Sequence, residues 1–365
     1  MAESPTILKV RDLRVSYHTY AGEVKAVRGV SFDVERGRAI AIVGESGCGK
    51  SVTAKAIMGL IKGPQGEIKQ GSEILYNGEN ILDYTSKQWQ AYRGDDCAII
   101  FQDALAALNP TMRVGKQIME NLIAHRHMSK DEARAEAIEM LRRVGIPEPE
   151  KRFKQYPHQF SGGMRQRVMI AIAFACDPDL LICDEPTTAL DVTIQSQILD
   201  IIKDLQREHN TSVIMITHDL GVVANIAQTI AVMYSGVIVE RGTSEDIFYR
   251  ARHPYTWALI ESVPRLDLKN KQELASIPGM PPDLLNPPVG CPFSTRCKYC
   301  MAICKEKMPA FTDFGNGHTA ACWLHHPMAP KVDMPDHDSP TTVAPATGAA
   351  PAATDGAPTE KEVSR

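Results

Sequence analysis

The stretch GESGCGKS at 44–51 constrains this chain most, because it follows the apolar run AIAIVG at 39–44 and precedes a helical pattern. A short apolar run bounded by a turn signal reads as a buried strand. Gly44, Gly47 and Gly49 let successive backbone N–H groups curl round a phosphate, and the N-terminus of the following helix adds partial positive charge. In a loop of the form G-x-x-x-x-G-K-[ST], Lys50 reaches the β- and γ-phosphates and Ser51 holds Mg2+. Glu45, Ser46, Cys48 and Val52 complete the expected nucleotide-binding run.

Further along, LLICDEP (180–186) and SVIMITHD (212–219) are two more apolar strands with a helix around 192–208 between them. Buried strands joined through helices imply a parallel sheet and an α/β class. Residues 6 to about 45 alternate instead, as antiparallel strands do. From about 115 to 175 the pattern is helical, and DEARAEAIEMLRRVGI puts Ala133, Ala137, Leu141 and Val144 on one face. That stretch reads as a helical subdomain inserted in the α/β core. LLICDEP ends in two acids: Asp184 is placed to bind the Mg2+ shell and Glu185 to polarise an attacking water.

FSGGMRQR at 160–167, upstream of LLICDEP, resembles the signature motif of ABC ATPases, which other P-loop enzymes lack. Gln102 in IIFQD resembles that family's Q-loop, TALD at 188–191 its D-loop, and His218 in ITHD its switch histidine. Order and spacing match over about residues 6 to 250. The resemblance implies a P-loop NTPase of the ABC cassette type: a RecA-like core, an antiparallel β subdomain and an inserted helical subdomain. It implies Glu185, His218 and Gln102 as catalytic residues, with Gln102 joining Ser51 and Asp184 at Mg2+. It also implies two subunits paired head to tail, with Ser161, Gly162 and Gly163 of one meeting the γ-phosphate held by the other, and Asp191 working across that interface. Met164 departs from the family, many members of which have glutamine there. Tyr17 resembles the aromatic that stacks on adenine, with Tyr20 as a competitor.

Beyond residue 250 prolines accumulate, and little regular structure is expected. Of nine cysteines, Cys291, Cys297, Cys300, Cys304 and Cys322 crowd this one segment. In a reducing compartment such a cluster reads as a metal site before it reads as disulfides. HPYTWALIESVP at 253–264, GCPFSTRCKYCMAIC and AACWL resemble the extension of the dipeptide and oligopeptide importer ATPases. The resemblance implies a four-iron, four-sulfur cluster on Cys291, Cys297, Cys304 and Cys322. The same thiolates can hold zinc, Cys300 offers another third ligand, and His318 could substitute in a zinc site. The role expected of a metal here is structural, stapling residues 251–330 and leaving ATP binding by the cassette unchanged. Residues 331–365 have the composition of a disordered tail.

The formal net charge of −4 excludes a global basic field for nucleic acid. The longest apolar run, Val168 to Cys176, is too short to span a bilayer, and the N-terminal stretch lacks the layout of a secretory signal. A peripheral subunit on the cytoplasmic face of the inner membrane is therefore expected. The implied partners are a second ATPase subunit, identical or homologous, two transmembrane permeases and an external peptide-binding protein. Nickel or another small solute rivals peptides as cargo, and a soluble, non-transport ABC ATPase is the alternative outside transport.

Overall fold

A computed structural model describes residues 5–188, 190–263 and 277–332. Of the tail expected at 331–365, residues 333–365 lie outside them. The first six strands are β1 (Thr6–Thr19), β2 (Gly22–Glu35), β3 (Ala39–Val43), β4 (Gly66–Ile68), β5 (Glu73–Tyr76) and β6 (Glu79–Asn80). They are followed by β7 (Cys97–Ile100), β8 (Leu180–Asp184), β9 (Ser212–Thr217), β10 (Thr229–Tyr234), β11 (Val237–Thr243), β12 (Thr312–Asp313) and β13 (Thr319–Ala320).

One sheet has the order β2-β1-β5-β6, with β4 also paired to β1, and its pairs are antiparallel. The larger sheet runs β12-β13-β11-β10-β3-β9-β8-β7. Its strands from β10 to β7 are parallel, as the unbroken apolar runs require. The two faces of these strands feed two core clusters. Ala39, Ala41, Val43, Leu181, Cys183, Val213 and Met215 pack on one side, while Ile40, Ile42, Leu180, Ile182, Ile214 and Ile216 pack on the other. That division is the period-two alternation of a strand buried on both faces.

Helices Val114–His125, Lys130–Arg143, Pro149–Arg152 and Gly162–Phe174 occupy the chain between β7 and β8. Ala133, Ala137, Leu141 and Val144 are each 0% exposed, in the first of those clusters. Helix 130–143 opens with a capping box in which Ser129 accepts from the Glu132 N–H and Glu132 accepts from the Ser129 N–H. It ends on Arg142 and Arg143, placed to suit the helix dipole.

The described part of the segment after residue 250 has little regular structure, as expected, yet it is built into the core: helix Pro254–Glu261 is buried along most of its length, and β13 pairs with β11, so the segment extends the core sheet. Cys291, Phe293 and Cys304 belong to the same core cluster as the sheet.

Glu240 on β11 is the stitch at this seam and is fully buried. Its carboxylate accepts from the backbone N–H groups of Arg252 (2.6 Å) and His253 (3.0 Å) and meets His318 Nε2 at 2.9 Å. Removing a buried acceptor strands its donors. Glu240→Ala is expected to destabilise the protein by about 3 kcal/mol or more, read as a lower thermal or denaturant midpoint. An unchanged midpoint would show that the seam contributes nothing to stability.

Candidate active site

Four loops leave the carboxyl ends of parallel strands on one edge of the sheet: the P-loop after β3, Gln102 past β7, Asp184 and Glu185 at the end of β8, and His218 past β9. Open parallel sheets bind ligands at that edge. Two glycines make the P-loop possible. Gly44 has φ 155°, and a Cβ there would collide with the carbonyl oxygen of Met233 in β10. Gly49 has φ 106°, and a Cβ would stand 2.5 Å from the Ala26 carbonyl oxygen. Only glycine tolerates both the conformation and the approach.

Helix Lys50–Ile57 starts at the loop's end. The Lys50 side chain is buried, and Nζ donates to the carbonyls of Gly44 (2.8 Å) and Glu45 (3.0 Å). It also lies 4.0 Å from Glu185 Oε1. Ser51 Oγ donates to Asp184 Oδ1 at 2.7 Å. Burial raises the Asp184 carboxyl above its ordinary range, and the Ser51 hydroxyl works against that shift. A hydroxyl and a carboxylate in hydrogen-bond contact are the hard oxygen donors that Mg2+ takes, so the residues present fit that ion.

Glu185 stands at φ 50°, a left-handed conformation uncommon for a residue with a side chain. Backbone held there marks a place where the surrounding structure over-determines it, often a functional one. Its N–H is fixed to the Ile216 carbonyl at 2.9 Å. Its carboxylate accepts from Gln102 Nε2 (3.0 Å) and Thr188 Oγ1 (2.9 Å), and His218 Nδ1 is 3.4 Å away. The structure thus brings Lys50, Gln102, Thr188 and His218 onto the Glu185 carboxylate.

Ser161 is exposed and caps helix 162–174, accepting from the Met164 N–H. Asp191 caps helix Val192–His209 through the Ile194 N–H at 2.9 Å. A Cβ on Gly163 would press on Ile194 at 2.8 Å, so the signature helix and the helix after TALD meet closely. Met164 packs against the main core cluster, an apolar use of that position. Tyr17 is half-buried on β1 opposite Val24, with Gly66 beside its ring, whereas Tyr20 is fully exposed.

The thiols are drawn together. Burial pushes Cys322 up to about 12, with Cys291, Cys297 and Cys304 as the neighbouring thiols. Burial likewise pushes Cys291 up to about 12, with Cys304, Cys297 and Cys300 beside it, and Cys297 up to about 11. His318 is not among them: its ring faces Glu240 at 2.9 Å and Asp246 at 3.9 Å, which corrects its place as a substitute zinc ligand. Among the described residues, no group of three or more His, Cys, Asp or Glu is arranged to hold a metal ion.

Three residues at the site were not anticipated. Thr188 lay in a recognised motif, but its hydroxyl had no assigned task. Tyr255 and Arg296 lie in the C-terminal segment. The Tyr255 hydroxyl accepts from the Glu45 N–H at 2.9 Å, and Arg296 grips the Glu45 carboxylate at 2.6 and 2.9 Å. The cysteine-rich segment therefore touches the P-loop, a contact the sequence reading did not include. Partners 210 and 251 residues apart carry no local sequence signal.

Residues 27–188 match the family described as ABC transporter. A solved dimeric ATP-binding cassette in a post-hydrolysis state with ADP and Pi is 26% identical with a TM-score of 0.59, covering 65% of this chain and 98% of that one. Fold and site together make the chain an ABC transporter ATPase. Residues 239–304 match a second family, described as oligopeptide/dipeptide transporter, C-terminal region. The oligopeptide transport ATP-binding protein OppD of Bacillus subtilis is 55% identical over 330 residues, 90% of this chain and 92% of the relative. The dipeptide transport ATP-binding protein DppD of Lactococcus lactis is 53% identical over 338 residues, covering 92% and 96%. The chain belongs to the ATP-binding subunits of oligopeptide and dipeptide ABC transporters.

Glu185→Gln keeps the shape of the side chain and loses the charge that orients water. Turnover is expected to fall by about a hundredfold or more, with MgATP binding retained and an ATP-dependent dimer accumulating, as read by phosphate release and size-exclusion chromatography. Turnover near wild type would assign the catalytic carboxylate elsewhere.

Proposed function

We propose that the chain is the ATP-hydrolysing motor of a binding-protein-dependent importer of dipeptides and oligopeptides. The observation that carries this reading is the union, in one chain, of the ABC cassette with the oligopeptide/dipeptide transporter C-terminal region at 239–304. That second match favours peptides over nickel. Among the described residues no helix is long and apolar enough to cross a membrane. The proposed setting is the cytoplasmic face of the inner membrane, where two permeases, a second ATPase subunit and an external peptide-binding protein complete the transporter. Residues 6–250 form the cassette in this reading, 115–175 its helical subdomain, and 251–330 the extension.

The P-loop N–H groups and Lys50 hold the β- and γ-phosphates, and Tyr17 stacks on adenine. Mg2+, held by Ser51 and Asp184 with Gln102 nearby, would neutralise phosphate charge. Glu185 aligns the attacking water, and Gln102, Thr188 and His218 fix its carboxylate. Ser161 and the following helix N-terminus are exposed, which suits a role on the partner's γ-phosphate. ATP then joins two subunits head to tail. Hydrolysis removes the group that favours the closed state, so the interface reopens and moves the permeases.

Lys50→Ala should weaken MgATP binding by the isolated subunit, since it removes the charge facing the phosphates. Ser161→Arg should leave that binding largely intact while abolishing hydrolysis and peptide uptake by the assembled transporter in proteoliposomes. Loss of monomer binding in Ser161→Arg would count against the head-to-tail arrangement. Uptake of nickel but of no di- or oligopeptide would overturn the proposed cargo.

Cys291, Cys297, Cys304 and Cys322 are proposed to hold a four-iron cluster. Zinc on the same thiolates is the alternative. The burial of Cys291, Cys297 and Cys322 beside one another supports a shared ligand, which would staple the extension. Anaerobically purified protein should be brown, with near-equal iron and acid-labile sulfide, both lost on changing any of the four to Ser. Stoichiometric zinc without sulfide would favour the tetrahedral site, and metal kept in Cys304→Ser but lost in Cys300→Ser would reassign the third ligand.

A further inference from the structure

We infer that Arg296 is a positioning residue for the nucleotide site, clamping the Glu45 carboxylate so that the second residue of the P-loop does not repel the triphosphate. The inference rests on the reading of that loop as the ATP site. Every N–H of the guanidinium is engaged: Nε with the Pro278 carbonyl (2.9 Å), one terminal nitrogen with Glu45 Oε2 (2.6 Å) and the Tyr234 hydroxyl (3.2 Å), and the other with Glu45 Oε1 (2.9 Å) and the Ile277 carbonyl (3.0 Å). Its side chain is 3% exposed. A buried arginine with five donors and five partners is fixed in place, and a bidentate grip on a carboxylate is among the strongest of protein hydrogen bonds.

Glu45 is held from three sides. Its N–H donates to the Tyr255 hydroxyl, its carbonyl accepts from Lys50, and its carboxylate sits in the Arg296 fork. Two of these three partners come from beyond residue 250. Phe293 packs 5.3 Å from the rings of both Tyr234 and Tyr255, completing a plate under the loop. A carboxylate at this position is paradoxical in a loop that gathers N–H groups round a polyanion. Paired with Arg296 it presents no net charge, and released it would oppose the phosphates in a partly buried site where charges are poorly screened.

The test is MgATP binding by the purified full-length chain. Arg296→Gln should weaken affinity about tenfold or more, a loss of about 1.4 kcal/mol, and Glu45→Gln added to it should restore most of the loss by removing the repelling carboxylate. Recovery of this kind distinguishes a charge-positioning role from mere support, because a packing defect is not repaired by a second polar change. Arg296→Lys, gentler on folding, should bind severalfold more weakly and be rescued in the same way. Wild-type affinity in both Arg296 variants, or double variants as weak as the single ones, would overturn the inference. Lys50→Ala keeps the two levels apart: if it binds MgATP normally, the P-loop reading itself fails, and if it loses binding while the Arg296 variants do not, only the clamp fails.

Discussion

An ammonium group buried at 4% exposure, Lys50, sets the terms for the whole site. Burying a charge is costly unless it is paired and hydrogen-bonded. Lys50 meets that demand with the carbonyls of Gly44 and Glu45 and the nearby carboxylate of Glu185. The loop therefore turns the carbonyls of Gly44 and Glu45 inward here. That curl brings backbone against backbone at Gly44 and Gly49, which is why neither position has room for a side chain. The parallel sheet supplies the rest, since it delivers Asp184, Glu185 and His218 from neighbouring strand ends, with Glu185 Oε1 4.0 Å from that ammonium and 3.4 Å from His218.

The C-terminal segment is better understood as the cassette's floor than as its attachment. Three devices join it to the core: the β11–β13 pairing, the buried Glu240 accepting from two backbone N–H groups and facing His318, and the Tyr255 and Arg296 contacts beneath the P-loop. His253 is buried next to this seam, and desolvation holds its imidazole down to about 3, so it stays neutral and caps helix 254–261 as an acceptor. A segment so placed is in direct contact with the P-loop through Glu45.

The thiols follow the same logic. Cys291, Cys297 and Cys322 all have their pKa pushed up by burial. Thiols raised in this way stay protonated and inert unless a metal replaces the protons.

What the sequence alone determined was whatever repeats over a few residues or follows a fixed spacing. The apolar runs of β3, β8 and β9, the helical face of Ala133, Ala137, Leu141 and Val144, and the motif carrying Lys50 and Ser51 were all legible, because periodicity and turn chemistry act locally. The order of Gln102, Ser161, Glu185 and His218 identified the family for the same reason. Tertiary structure alone decided that Gln102, Thr188 and His218 converge on one carboxylate, that His318 answers Glu240 rather than the thiols, and that a proline-rich stretch completes the sheet. It alone set Arg296 on Glu45 across 251 residues. Such contacts depend on where the whole chain places two distant segments, and a single sequence read in short windows carries no trace of that distance.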